Sequence, residues 1–321
     1  MININEFMEM AREDILTMLP KDLTKDLTIE QNTVTKMNDQ VLYGLTMRRE
    51  GEDAAPTIYM NDLFNRYMNG EPFKTMMAEV CQEYLDALVN RPEIATQDLT
   101  FDRIKDDLTF RVMEAKRNSK FLRDVPYMNM GNGFVAVCDI KVVEDDRGYW
   151  RTTINHGLEQ ENNYDRKEIF KAAIENSQIM DPVVMNTMMD QLFGDSDKNL
   201  LDIEGMIPEN SKDHMYVLSN KEGMLGASTF FYPGIREKIA EKLGEGFYAL
   251  PSSVHEVLIL PESCAPPIKD IAEMVYEANH SVVDPKEVLS DNIFHYDKDT
   301  RKLETIQSEV VREVRDDNIR S

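Results

Sequence analysis

Apolar positions recur at helical spacing from the start of the chain. Phe7, Ala11, Ile15, Met18 and Leu19 form one stripe over residues 5–19, and Pro20 ends it. Two β-rich stretches follow at 27–36 and 39–48, parted by Met37-Asn38, with Gly51 closing the second. Thr57–Met60 leads into Asn61, which is placed to cap a short helix that Gly70 stops. Pro72 then opens a helix at a position where its missing N–H does no harm, burying Phe73, Met77, Val80, Tyr84 and Leu88. Arg91-Pro92 reads as a boundary.

Beyond it, Phe101, Ile104, Leu108, Val112 and Ala115 repeat at helical spacing and predict a helix. Residues 134–143 (FVAVCDIKVV) are apolar on both faces, as in a central strand covered on both sides, and Asp145–Gly148 turns into a second strand near 149–155. Asp165 with Glu168 starts a helix running to about Ser177. Asp181-Pro182 predicts another, with Met185, Met188, Met189 and Leu192 inward and Gly194 at its end. Residues 215–220 and 224–232, joined at Lys221–Gly223, read as a hairpin before a helix over 233–243. Strands at 247–250 and 254–260, a helix from Pro267 to Ala278 and an amphipathic tail over 303–314 complete the pattern.

A hairpin followed by a helix thus occurs near 27–69, 134–177 and 215–243, without any residue-level repeat at fixed period. The fold class expected is α+β, with mainly antiparallel sheet built from three hairpin-then-helix units and helices packed to one side. Three lobes follow: 1–92, 93–214 and 215–321.

Charge narrows the function. Lys+Arg number 36 against 59 Asp+Glu, a net charge of −23, which opposes binding to nucleic acid or anionic lipid. The start lacks a cationic and apolar leader, and no apolar run approaches the roughly 20 residues that span a bilayer. Cys81, Cys138 and Cys264 are widely spaced, so neither a disulfide framework nor a thiolate metal site is expected. The compartment expected is cytoplasmic.

Four segments share a family likeness: 56–70 (PTIYMNDLFNRYMNG), 120–142 (KFLRDVPYMNMGNGFVAVCDIKV), 216–261 and 279–297 (NHSVVDPKEVLSDNIFHYD). Together they resemble a bacterial family known as domain-of-unknown-function family 5688. The most specific pieces are Leu-Pro-Ser-Ser-x-His-Glu-Val and Val-Leu-Ser-Asp, and the stretch near 127–133 departs from the pattern as a longer, irregular loop. The resemblance implies a shared fold and a cytoplasmic compartment, in a family common in gut Firmicutes and often carried on mobile elements. It implies no particular chemistry.

Candidate chemistry centres on Ser252, Ser253, His255 and Glu256, which hold the parts of an acyl-transfer site. On a strand over 254–260 side chains alternate, so Ser253 and His255 share a face while Glu256 points away. No G-x-S-x-G elbow exposes either serine. Asp139 is a further candidate, a carboxylate in an apolar strand that must reach water, a cation such as Lys141, or backbone donors. His156, His214, His280 and His295 lack metal-ligand spacing, and no glycine-rich phosphate loop is present, so no metal or cofactor is expected. The leading expectation is a non-enzymatic accessory factor of a mobile element that binds a protein partner, touching neither nucleic acid nor membrane. The alternatives are a hydrolase or transferase using the Ser253/His255 region, and an acidic mimic of nucleic acid.

Overall fold

The computed structural model describes residues 2–51, 55–89, 99–145, 148–193, 199–208 and 215–306. The chain divides into two compact units, Met1–Asp98 and Leu99–Ser321, so the expected lobe 215–321 and all of 93–214 from residue 99 onward fall within one of them.

In the first unit, α1 (Ile4–Met18) begins at a reciprocal capping box. The Asn3 side chain accepts from Glu6 N, and the Glu6 carboxylate accepts from Asn3 N. Phe7, Met8, Ala11 and Ile15 are its buried stripe. After Pro20, α2 (Lys21–Thr24) leads into β1 (Leu27–Thr35) and β2 (Val41–Arg49). These pair antiparallel over their whole length, and the turn places Asn38 and Asp39 at φ 58 and 53. Asn and Asp tolerate that left-handed region better than other non-glycine residues. The strand β3 (Thr57–Tyr59) joins the free edge of β2, and α3 (Asn61–Met68) and α4 (Phe73–Val89) follow.

Asn61 does not cap α3. Its Oδ1 accepts from Tyr43 N at 2.9 Å and its Nδ2 donates to Val41 O at 3.0 Å, tying the helix start to β2. The core is aromatic, with the Phe7 ring 5.3–5.6 Å from those of Phe64, Tyr67 and Phe73.

Among the described residues the second unit holds two antiparallel sheets. Its elements begin with α5 (Phe101–Ile104), β4 (Leu108–Glu114), β5 (Tyr127–Gly131), β6 (Phe134–Asp145), β7 (Gly148–Thr153), α6 (His156–Glu161) and α7 (Arg166–Met180). They continue with β8 (Val183–Thr187), α8 (Met188–Phe193), β9 (Tyr216–Asn220), α9 (Ile235–Leu243), β10 (Phe247–Leu250) and β11 (Val257–Pro261). Last come α10 (Ile268–Glu277), β12 (Phe294–Asp297) and β13 (Lys302–Thr305). One sheet runs β4-β6-β5, with β7 also paired to β6; the other runs β13-β12-β10-β11-β9-β8. Phe134 of β6 meets Phe231 and Phe294 at 5.0 and 5.4 Å between ring centroids, so both sheets contribute to shared packing.

The α+β class with antiparallel sheet holds, and four local expectations are corrected. Residues 108–114 are strand, paired with β6; Leu108 and Val112 suit one strand face as well as a helical stripe, and Phe110 between them fits only the strand. Residues 183–187 are also strand, pairing with β9 from Val183↔Asn220 to Thr187↔Tyr216, and the helix starts only at Met188. The stretch 127–133 is ordered as β5 and a tight turn, with a register shift at Asn129/Gly131. Finally, 224–232 is not the second strand of a hairpin. Both edges of β9 are taken by β8 and β11, and Gly226–Phe231 forms a fully buried 3-10 helix instead. The third hairpin-then-helix unit is therefore absent. The boundary at Arg91-Pro92 and the tail beyond 306 lie outside the described residues.

Candidate functional site

The segment from Pro251 to Glu256 is held away from strand geometry. Main-chain bonds tie it to the segment before β12: Val254 N donates to Glu287 O, Leu289 N to Ser252 O, and Ser290 N to Pro251 O, at 2.8–2.9 Å. Ser253 makes an isolated antiparallel bridge with Val288, and the strand begins only at Val257. The Leu-Pro-Ser-Ser and Val-Leu-Ser-Asp segments thus lie side by side. Extended alternation from 254 is corrected here, since the backbone turns at Ser253, whose Oγ accepts from His255 N at 3.1 Å.

The His255 ring accepts from Leu225 N through Nδ1 at 3.2 Å. That donor leaves the neutral ring its proton on Nε2, which stands 3.7 Å from Glu287 Oε2. Leu225 reaches the ring from a left-handed conformation, φ 54. Gly226 follows because a Cβ there would lie 2.5 Å from Asn220 N and 2.7 Å from His255 O. Ser252 is buried, and burial pushes the Glu256 carboxyl up, with the His255 charge partly opposing. The carboxylate facing the imidazole is therefore Glu287, whose role was not legible in the sequence. Among the described residues no serine hydroxyl hydrogen-bonds to the ring.

Asp139 lies on β6 with no exposed surface. Its Oδ1 accepts from Thr153 Oγ1 at 2.7 Å, and Arg111 Nε stands 3.3 Å from Oδ2. Arg111 Nη2 also donates to Thr153 Oγ1 at 2.8 Å. Pairings Thr109↔Asp139, Asp139↔Thr153 and Arg111↔Val137 place these side chains on one sheet face. Arg151 extends the set, reaching Thr109 Oγ1 at 3.0 Å and Asp181 Oδ2 at 2.9 Å.

A third polar group was missed altogether. Arg117 pairs with Asp291 and stands 3.1 Å from Glu114 Oε2, while Asn279 Nδ2 donates to Asp291 Oδ1 at 2.7 Å and Asn292 Nδ2 to Glu114 Oε1 at 3.1 Å. No spacing signal exists for contacts separated by more than 170 positions.

A surface groove lies along α7. Asp165 caps its first turn through Lys167 N and Glu168 N. Arg166 grips Glu159 through both Nε and Nη2, with His156 Nδ1 3.0 Å from the same carboxylate. The guanidinium, and secondarily the imidazole, hold Glu159 below the ordinary carboxylate range. Past this clamp the groove, of ≈ 550 Å³, is lined by Met128, Phe170 and Ile174 and rimmed by Lys167, Lys171 and Glu175, with Tyr127 at its wall.

Among the described residues no group of three or more His, Cys, Asp or Glu is arranged to hold a metal ion, and His214 lies outside them. No helix among them is long and apolar enough to cross a membrane. The model of the Family of unknown function DUF5688 matches residues 4–298. No curated protein and no solved structure matches the chain.

Proposed function

Since the chain belongs to the DUF5688 family, whose function is unknown, membership brings no reaction with it, and we propose from the geometry that the protein acts by binding another protein. One observation carries this reading: the groups best suited to acid–base work are engaged by the fold itself. Both ring nitrogens of His255 face groups of the chain, Leu225 N and Glu287. Ser253 Oγ receives a main-chain N–H, and Asp139 faces Arg111 and Thr153. A general base needs a lone pair directed at a substrate proton, and a nucleophile needs a base within hydrogen-bond reach. The resemblance noted in the sequence adds that this binding serves a mobile element in the cytoplasm, which the identity of a captured partner tests directly.

A second reading keeps Ser253 and His255 as a hydrolytic pair, favoured by Glu287 beside the imidazole. In-cell cross-linking of the full chain, with Ser253→Ala and His255→Ala alongside, separates the two. Binding predicts one saturable protein adduct in wild type and both variants. Covalent labelling of Ser253 by a fluorophosphonate, lost in His255→Ala, would instead establish the hydrolase and overturn the proposal.

A further inference from the structure

The geometry points to the α7 groove as a docking site for an acidic amphipathic helix of a partner protein, an inference that rests on the binding role proposed above. Its apolar part combines Met128 and Ile174 with Tyr127, whose surface is 51% exposed although it is a large aromatic residue. Exposed apolar surface of this kind, bordered by charge, marks interaction sites. Of the charged side chains that line it, Arg166, Lys167 and Lys171 are cationic and Glu175 is the one acid, in a chain of net charge −23. The Lys167 ammonium has no carboxylate partner among the described residues, and Lys171 faces only Glu175 at 4.0 Å, an exposed pair that contributes little. Such a rim selects carboxylates and repels basic segments.

Length and rigidity identify the occupant further. The lining runs along one helix face from Arg166 to Gln178, about 18 Å at the α-helical rise. A helix laid in a groove of that length offers apolar anchors at i, i+3 or i+4, and i+7. Asp165 and the Glu159–Arg166 pair hold the first turn of α7 in place, so little ordering cost falls on binding. A phosphate backbone is a poor fit, because it offers no apolar face to Tyr127, Met128 and Ile174 and Arg166 is already engaged by Glu159.

The test is fluorescence anisotropy on the full chain with three labelled peptides of about 20 residues. The first is helical, with leucines at i, i+4 and i+7 among glutamates; the second is its scramble; the third replaces every glutamate with lysine. The expected result is binding of the first peptide only, weakened at least about tenfold in the double variant Lys167→Glu/Lys171→Glu. Both substituted side chains are exposed, and circular dichroism checks that the variant is folded. Equal binding of the scramble would reduce the site to a general anion patch and overturn the inference. So would absence of binding, or affinity unchanged in the variant. Sedimentation covers the remaining occupant: a wild-type dimer dissolved by the same variant assigns the groove to a second copy, against the inference. An in-cell adduct that persists in the variant removes the groove and leaves the binding role standing, whereas no adduct in wild type removes both.

Discussion

A carboxylate with no exposed surface must be compensated inside the protein, and at Asp139 the compensation is one guanidinium and one hydroxyl. Removing the charge while keeping the shape strands Arg111. Asp139→Asn is therefore expected to cost about 3–5 kcal/mol in urea unfolding, whereas Arg111→Met with Asp139→Leu restores most of it. Wild-type stability in the single variant would show that the pair contributes nothing. Glu159 behaves differently because its pair reaches the surface. The Arg166 hydrogen bonds lower its folded-state pKa, so its contribution is present above the unfolded carboxylate value and is lost as pH falls through the folded one. Glu159→Gln should lower stability at pH 7 by about 1.5–3 kcal/mol and flatten the acid limb of the stability curve; an unchanged slope refutes the assignment. Asp139 itself was visible in the sequence, since a lone acid in FVAVCDIKVV demands a partner. Its partner was not, because Arg111 faces it only if 108–114 is a strand.

Edge strands pose the same accounting problem for whole elements. On β4, Phe110 N and Val112 N point away from β6 and are met by Ser177 Oγ and Ser228 Oγ, each at 3.0 Å. On β8, Asn199 accepts from Met185 N and donates to Val183 O. Covering edge groups in this way blocks pairing with other chains. Ser177→Ala and Ser228→Ala should each leave a buried N–H unpaired and cost about 1–3 kcal/mol. Hydrogen exchange should accelerate at Phe110 in the first variant and at Val112 in the second; exchange that stays slow would mean the hydroxyls are dispensable. Elements with a single strong local signal were legible, such as α1, whose apolar stripe stops at Pro20, or α9, which stops at Gly244. Elements decided by neighbours were not. The segment 224–232 has strand composition, yet the occupied edges of β9 exclude it, and Gly226 fits closely beneath His255 O.

At the scale of the molecule, the question is which parts carry their own core. The cluster containing Phe7, Leu45, Met47 and Tyr84 draws every member from residues 2–88, within the first compact unit. In the second unit, β8 and β9 pair with each other and β9 with β11, while Phe134 meets Phe294, so segments on both sides of position 214 share one sheet and one set of ring contacts. Local periodicity cannot report such pairings, because they depend on which distant strand occupies an edge. Fragments 1–98 and 99–321 should therefore each unfold cooperatively in urea, with about 1–3 kcal/mol per molar for the smaller one. A smaller fragment that binds hydrophobic dye and melts without a transition would show that its core depends on the rest of the chain. The groove along α7, the Asp139 pair and the His255 turn all lie in the second unit. Its isolated fragment should therefore bind the acidic helical peptide with the affinity of the full chain, and a loss on cutting at 98 would assign part of the binding surface to the first unit.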